Sequence, residues 1–267
     1  MRRFISIPFL AILCLTLAAC GARDVYVGPK IEAVSYSEKV IEIGQPFDLF
    51  VECDSGRIDV YKRDENSIKL EVTSRVRGAA KKETLEKQLQ NFEISAESSG
   101  TSVTFKSKYR GRIEKPFDTG IELGIYVPKK VRSIGFKLGE GRIRMLDDIK
   151  CTLKADIKTA NVEVNRFEGL LNLKADICTL RIWNGRIYSG SSVSVNMGGI
   201  YVKSDFAPNG TYTFKTGVGA VELYAPKNLD ATFESIGNVK VNEFPPDGGH
   251  SKIRLETAMG DISVFKY

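Results

Sequence analysis

The chain reads as an all-β protein: a single-stack parallel β-solenoid of about seven turns, preceded by a small β-rich N-terminal region with one short helix. Three observations predict this. A short phrase, a small or polar residue followed by apolar, any and apolar residues, recurs as GRIRM (Gly141 to Met145), ANVEV, LRIWN, GGIYV, GAVEL, GNVKV and GDISV (Gly260 to Val264). Its anchors at 143, 162, 182, 200, 221, 239 and 262 are spaced by 19, 20, 18, 21, 18 and 23 residues, and a period near twenty marks a stacked repeat. Each phrase also has a second apolar pair upstream, from Phe136 and Leu138 to Ile253 and Leu255. Two strands with two or three corners fill such a turn, and seven turns at ~4.8 Å span roughly 30 Å. Strands every 8 to 12 residues would also fit an antiparallel sandwich.

The elements follow in order. Arg2 and Arg3, an apolar run from Phe4 to Leu17 and the tetrapeptide ending at Cys20 have the build of a cleaved export leader, too short to span a bilayer comfortably. This LAAC box resembles the lipobox of bacterial lipoproteins, which implies that 1–19 is removed and that Cys20 carries a diacylglyceryl anchor. Residues 20–30, with Gly21, Gly28 and Pro29, read as a lipidated tether. Residues 31–127 read as a β-rich capping region: apolar residues alternate through Ile41 and Ile43, Phe47 to Val51, Ile58 and Val60, and Ile68 to Val72, as half-buried strands require. Ala79 to Gln90, rich in good helix formers, places Leu85 and Leu89 on one face. Residues 128–267 form the repeat domain, with corners at Gly169, Asn184 and Gly185, Asn209 and Gly210, and Gly248 and Gly249.

The stretch IELGIYVPKKVRSIGFKLGEGRIRM, followed by serial GxIxV turns, resembles an adhesin-like family of bacterial envelope proteins of uncharacterised function. The resemblance covers about residues 40–267. It implies a β-solenoid at the cell surface, outside the cytoplasm, and says little about activity. The third phrase, LRIWN, lacks the glycine, so a distorted turn is expected there.

Composition narrows the function classes. The net charge of +6 falls to about +4 once Arg2 and Arg3 leave with the leader, which suits weak attraction to an anionic surface and gives no case for nucleic acid. Cys53, Cys151 and Cys178 sit on the apolar parity of their strands without metal spacing, so buried free thiols are expected. No phosphate-binding glycine loop, GxSxG elbow or HExxH occurs, and His250, the only histidine, lies in a corner loop. No cofactor or metal is expected.

Carboxylates leave one enzymatic reading. LKADI occurs at Leu153 to Ile157 and at Leu173 to Ile177, which predicts Asp156 beside Asp176 and Lys154 beside Lys174, a cation site or an acid and base dyad for polysaccharide cleavage. Parity predicts a different surface: Trp183 and Tyr201 pointing outward from adjacent turns, near Arg181 and Arg186, where aromatic and guanidinium groups could engage a sugar or a protein. The outward column Lys137, Lys154, Lys174, Ser194, Lys215, Glu234 and Glu256 reads as basic early and acidic late. The last turn, ending at Tyr267, has no evident cap, so end-to-end self-association is expected there. The preferred reading is a non-enzymatic, membrane-anchored envelope protein presenting its repeat surface to cell-wall polymer or another envelope protein. The alternatives are a polysaccharide-active envelope enzyme and a sensor acting through a membrane partner.

Overall fold

The computed structural model describes residues 29–111, 117–245 and 249–267; the leader, Cys20, most of the tether and Gly248 lie outside them. The protein is all-β with one helix. The N-terminal part contains β1 (Ile31–Glu42), β2 (Phe47–Arg63), β3 (Ser67–Gly78), α1 (Lys82–Leu89), β4 (Phe92–Ser99), β5 (Ser102–Tyr109) and β6 (Asp118–Pro128). The repeat part contains β7 (Val131–Lys150), β8 (Thr152–Gly169), β9 (Leu171–Ile182), β10 (Gly185–Ile187), β11 (Ser191–Met197), β12 (Ile200–Lys203), β13 (Asp205–Phe206), β14 (Thr211–Val218), β15 (Val221–Ala225), β16 (Ala231–Asn242) and β17 (Ser251–Lys266).

Parallel ladders carry the stack, which sets aside the antiparallel sandwich. β2 lies on β7, β7 on β8 and β8 on β9, and β9 bears β11 and β12, which in turn bear β14 and β15. Antiparallel pairing is confined to the N-terminal part, where β1 lies on β3, β3 on β6 and β4 on β5. Helix α1 packs beside this sheet through Leu85, which is buried with Ala33, Val76 and Ala80.

The alternation of the sequence becomes two buried columns. Phe136, Ala155, Leu173, Val193, Phe214 and Leu255 are register partners along one, and Ile143, Val162, Leu180, Ile200, Val221 and Ile262 along the other. All are 9% exposed or less, and each large apolar side chain so buried is worth about 1.5–3 kcal/mol relative to exposure. One continuous core runs from Ile41 to Val264. Cys53, Cys151 and Cys178 are buried free thiols in it.

Two features differ from the expected repeat. The third phrase is CTLRI, because Leu180 pairs with Val162 and Ile200 and Ile182 pairs with Val202. Cys178 therefore takes the column place held by Gly198 and Gly219, and the distortion expected at this turn is absent from β9, which runs from Leu171 to Ile182 without a register shift against β8. The slip of two residues keeps every side chain on its own face, so sequence parity did not expose it. The end of the stack also differs: β17 pairs with β14 and β15 on one side and with β16 on the other. The terminal rung is β16, and Tyr267 lies inside the stack, its N–H donating to the Ala225 carbonyl at 3.0 Å. At the other end β2 is likewise held between β5 and β6 on one side and β7 on the other.

Candidate functional site

The outward side chains of β9, β12, β15 and β17 make the most aromatic face of the repeat part. Tyr201 stands opposite Arg181, whose guanidinium carbon lies 5.0 Å from the ring centroid. Such a contact contributes about 0.5–1 kcal/mol at an exposed site. Trp183 follows β9 and is 57% exposed, with its N–H donating to the Val164 carbonyl at 2.9 Å. The expected side-by-side pair of Trp183 and Tyr201 does not form. The residue opposite Tyr201 is Arg181, so Trp183 lies two residues further along the strand and meets Tyr201 only diagonally. Arg186 is separated from both: it lies on β10, in register with Glu168 and Asp205.

Around Arg186 the surface is polar. Lys150 donates to Glu168 at 2.7 Å and the Tyr188 hydroxyl donates to the same carboxylate, and these two groups hold the Glu168 carboxyl below its usual range. A shallow depression of about 420 Å³ includes Lys150, Arg166, Glu168, Asn184 and Arg186.

Three aromatic residues extend the face beyond what the phrase predicted. Tyr224 and Phe265 are register partners whose rings stack at 4.9 Å with 23° between planes. The Tyr267 hydroxyl donates to Asp205 at 2.9 Å, and the Lys203 ammonium lies 4.9 Å from the Tyr267 ring. Burial and Asp205 push the Tyr267 hydroxyl up to about 12. For Tyr224 and Phe265 the signal was present one outward position beyond the phrase, in LYA and VFK, and Tyr267 follows two residues after Phe265. Stacking consumes one face of each ring of the Tyr224 and Phe265 pair, and Arg181 covers Tyr201. These contacts leave one face of each of these rings available on the surface of the ladder.

The carboxylate dyad does not form. Asp156 is the register partner of Lys137 and Lys174, and Lys154 that of Gly135 and Asn172. Asp176 instead accepts a hydrogen bond from Asn196 at 2.9 Å. The two LKADI copies are twenty residues apart, but this step of the stack advances by eighteen, so their charges interleave.

The same correction removes the basic-to-acidic gradient. The true column runs Glu52, Lys137, Asp156, Lys174, Ser194, Lys215, Glu256, with Lys137 bonded to Glu52 at 2.8 Å and Lys215 to Glu256 at 2.6 Å. Lys154 and Glu234 belong to the neighbouring column. Opposite charges facing across rungs stabilise the sheet, where like charges would oppose it.

His250 is solvent-facing, with Nδ1 2.5 Å from Asp230 Oδ2, and the imidazole lowers the Asp230 carboxyl. The adjacent Ser251 is buried, and its hydroxyl accepts from the Gly210 N–H at 3.4 Å, so it is not free to act with the pair. Among the described residues no three His, Cys, Asp or Glu converge on a metal position, and no helix is long and apolar enough to cross a membrane.

No family model and no curated protein matches the chain. Solved structures of similar outline include a candidate cell adhesion protein from Clostridium sporogenes, 14% identical, covering 88% of this chain and 100% of that one, with a TM-score of 0.36. A candidate adhesin from Parabacteroides distasonis is 12% identical over 86% of this chain and 97% of that one, with a TM-score of 0.44. A candidate lipid-binding protein from the same organism is 11% identical over 85% and 96%, with a TM-score of 0.34. At these identities and scores none of their names transfers to this chain.

Proposed function

We propose that this chain is a non-enzymatic envelope lipoprotein, anchored outside the cytoplasm through Cys20, whose residues 128–267 form a single-stack β-solenoid that presents a binding face to cell-wall polymer. In this reading residues 31–127 close one end of the solenoid. The observation that carries the proposal is the exposed Trp183 beside the Arg181 and Tyr201 pair on an ordered ladder. Trp, Tyr and Arg are the residue types that dominate binding energy, and a rigid ladder holds them at little entropic cost. The interleaved charges at Asp156 and Asp176 favour this reading over a carboxylate enzyme, since Asp156 stands in register between Lys137 and Lys174 and Asp176 accepts from the Asn196 amide, so the two acids do not face each other.

Co-sedimentation of the detergent-solubilised full chain with isolated cell-wall sacculi tests the binding. The wild type sediments with the polymer, and Trp183→Ala and Arg181→Ala each reduce the bound fraction severalfold. Equal sedimentation of all three proteins overturns this face as the binding surface. Mass spectrometry of the membrane-extracted protein tests the anchor: a diacylglyceryl adduct on Cys20 is expected, and its loss in Cys20→Ala should release the protein from membranes.

A further inference from the structure

The terminal rung β16 is half closed. On one side Phe244 is buried against Phe233, with ring centroids 4.9 Å apart, and its N–H donates to Asn242 Oδ1 at 3.0 Å. On the other side nothing described covers the rung. Val239 continues the inward column that buries Val221 and Ile262 completely, yet it is 45% exposed. Every residue from Glu234 to Lys240 is exposed except the half-buried Ser235. Among the described residues β16 pairs with β17 alone, so its other edge presents unpaired backbone donors and acceptors, the usual template for strand addition.

We propose that this edge pairs with the same edge of a second copy, antiparallel, about a two-fold axis at Gly237. The charge pattern selects this occupant. Glu234 and Lys240 are equally distant from Gly237 in sequence, so the two-fold sets Glu234 against Lys240 of the partner subunit, and the reverse contact repeats by symmetry. Like charges meet nowhere in that register, and Ser235 faces Val239 of the partner subunit, which covers the open column. The axis bisects the corner at Gly237, whose φ of +132° turns the rung, so each arm of the corner lies along the opposite arm of the other copy. An isologous contact of this kind closes on itself and gives a dimer, with no filament. Within its own chain Lys240 is held only loosely, 3.9 Å from Asp261 with its side chain 68% exposed, and Arg254, the register partner of Glu234, reaches toward Glu256.

Seven residues of edge make a contact well below the ~1,200 Å² of a permanent assembly, so the dimer is concentration-dependent. The interface lies at the end of the stack and does not include Trp183, so loss of polymer binding and loss of dimerisation are separable results.

Sedimentation equilibrium of the purified full chain in non-ionic detergent, with E234K, K240E and the double swap E234K/K240E, tests the proposal. The wild type forms a reversible dimer. Each single reversal places like charges together twice per dimer and weakens association by about tenfold or more. The double swap restores it to within a few-fold of wild type. A wild type that stays monomeric overturns the proposal, as does a dimer indifferent to the single reversals or a double swap as weak as either. Hydrogen exchange gives an independent reading without substitution: amides from Glu234 to Lys240 slow as protein concentration rises, and concentration-independent exchange there also overturns it.

Discussion

The Thr257 hydroxyl donates to the Gly219 carbonyl at 2.9 Å, and one rung earlier Thr216 does the same to Gly198. Both threonines are buried, at 2% and 0% exposure, at positions where Leu138, Ile157, Ala175 and Val195 occupy the same column in earlier rungs. The hydroxyl serves a corner carbonyl that an apolar side chain would leave unserved. Thr257→Val keeps the shape and removes the donor, so it should cost about 1–2 kcal/mol, read as a lower urea midpoint at unchanged slope.

The corner itself depends on glycine. Gly219 has φ of +142°, and a Cβ there would lie 2.0 Å from the Gly198 carbonyl oxygen. Gly219→Ala should therefore destabilise the fold by at least about 2–3 kcal/mol through strain and displacement of the rung below. Gly120 has open space around it, so Gly120→Ala should stay within about 0.5 kcal/mol. Thermal unfolding of the two variants side by side checks the contrast.

Asp48 links stability to acid. Arg132 and Ser133 both donate to its carboxylate, with Ser133 at 2.6 Å and the Arg132 Nε at 2.9 Å, and they lower the carboxyl from 3.8 to about 2. A depressed folded-state value means that the stabilisation is complete above the unfolded value and fades as pH falls. The contribution of Asp48 should thus be full at pH 5 and decline between about pH 4 and 2. Melting temperatures of wild type and Asp48→Asn should converge across that window, and a constant gap would remove Asp48 from the acid response.

Burial pushes the thiols of Cys53, Cys151 and Cys178 up to about 12. Few thiolates exist at pH 8, and those few are shielded. Iodoacetamide at pH 8 followed by peptide mapping should find all three unmodified in the folded protein and fully modified in denaturant. Rapid labelling of Cys178 in the folded protein would show that the third turn opens.

Strand content, the helix and the buried parity were legible because a period of two declares which face is apolar, whatever the partner. Register was not, because corner length and not the phrase sets the advance per turn. A slip of two at Leu180 preserves parity, so Asp156 and Asp176 looked stacked when Lys174 faces Asp156. The end order was hidden for a related reason: GNVKV and GDISV carry the same pattern, so nothing in them says which lies against GAVEL. Trp183 was legible as an outward residue, whereas Tyr224, Phe265 and Tyr267 lay outside the phrase and became a surface only through the ladder.

The insertion of β17 between β15 and β16 fixes an order of assembly. β16 is earlier in sequence yet has no ladder of its own until β17 has seated on β14 and β15. Growth of the stack therefore cannot follow synthesis rung by rung at this end: Ala231–Asn242 must wait as an unpaired strand while residues 243–250 and then β17 arrive. A lesion in Ser251–Lys266 consequently removes two rungs at once, and the rung left open at this end of the finished molecule is the one whose docking comes last.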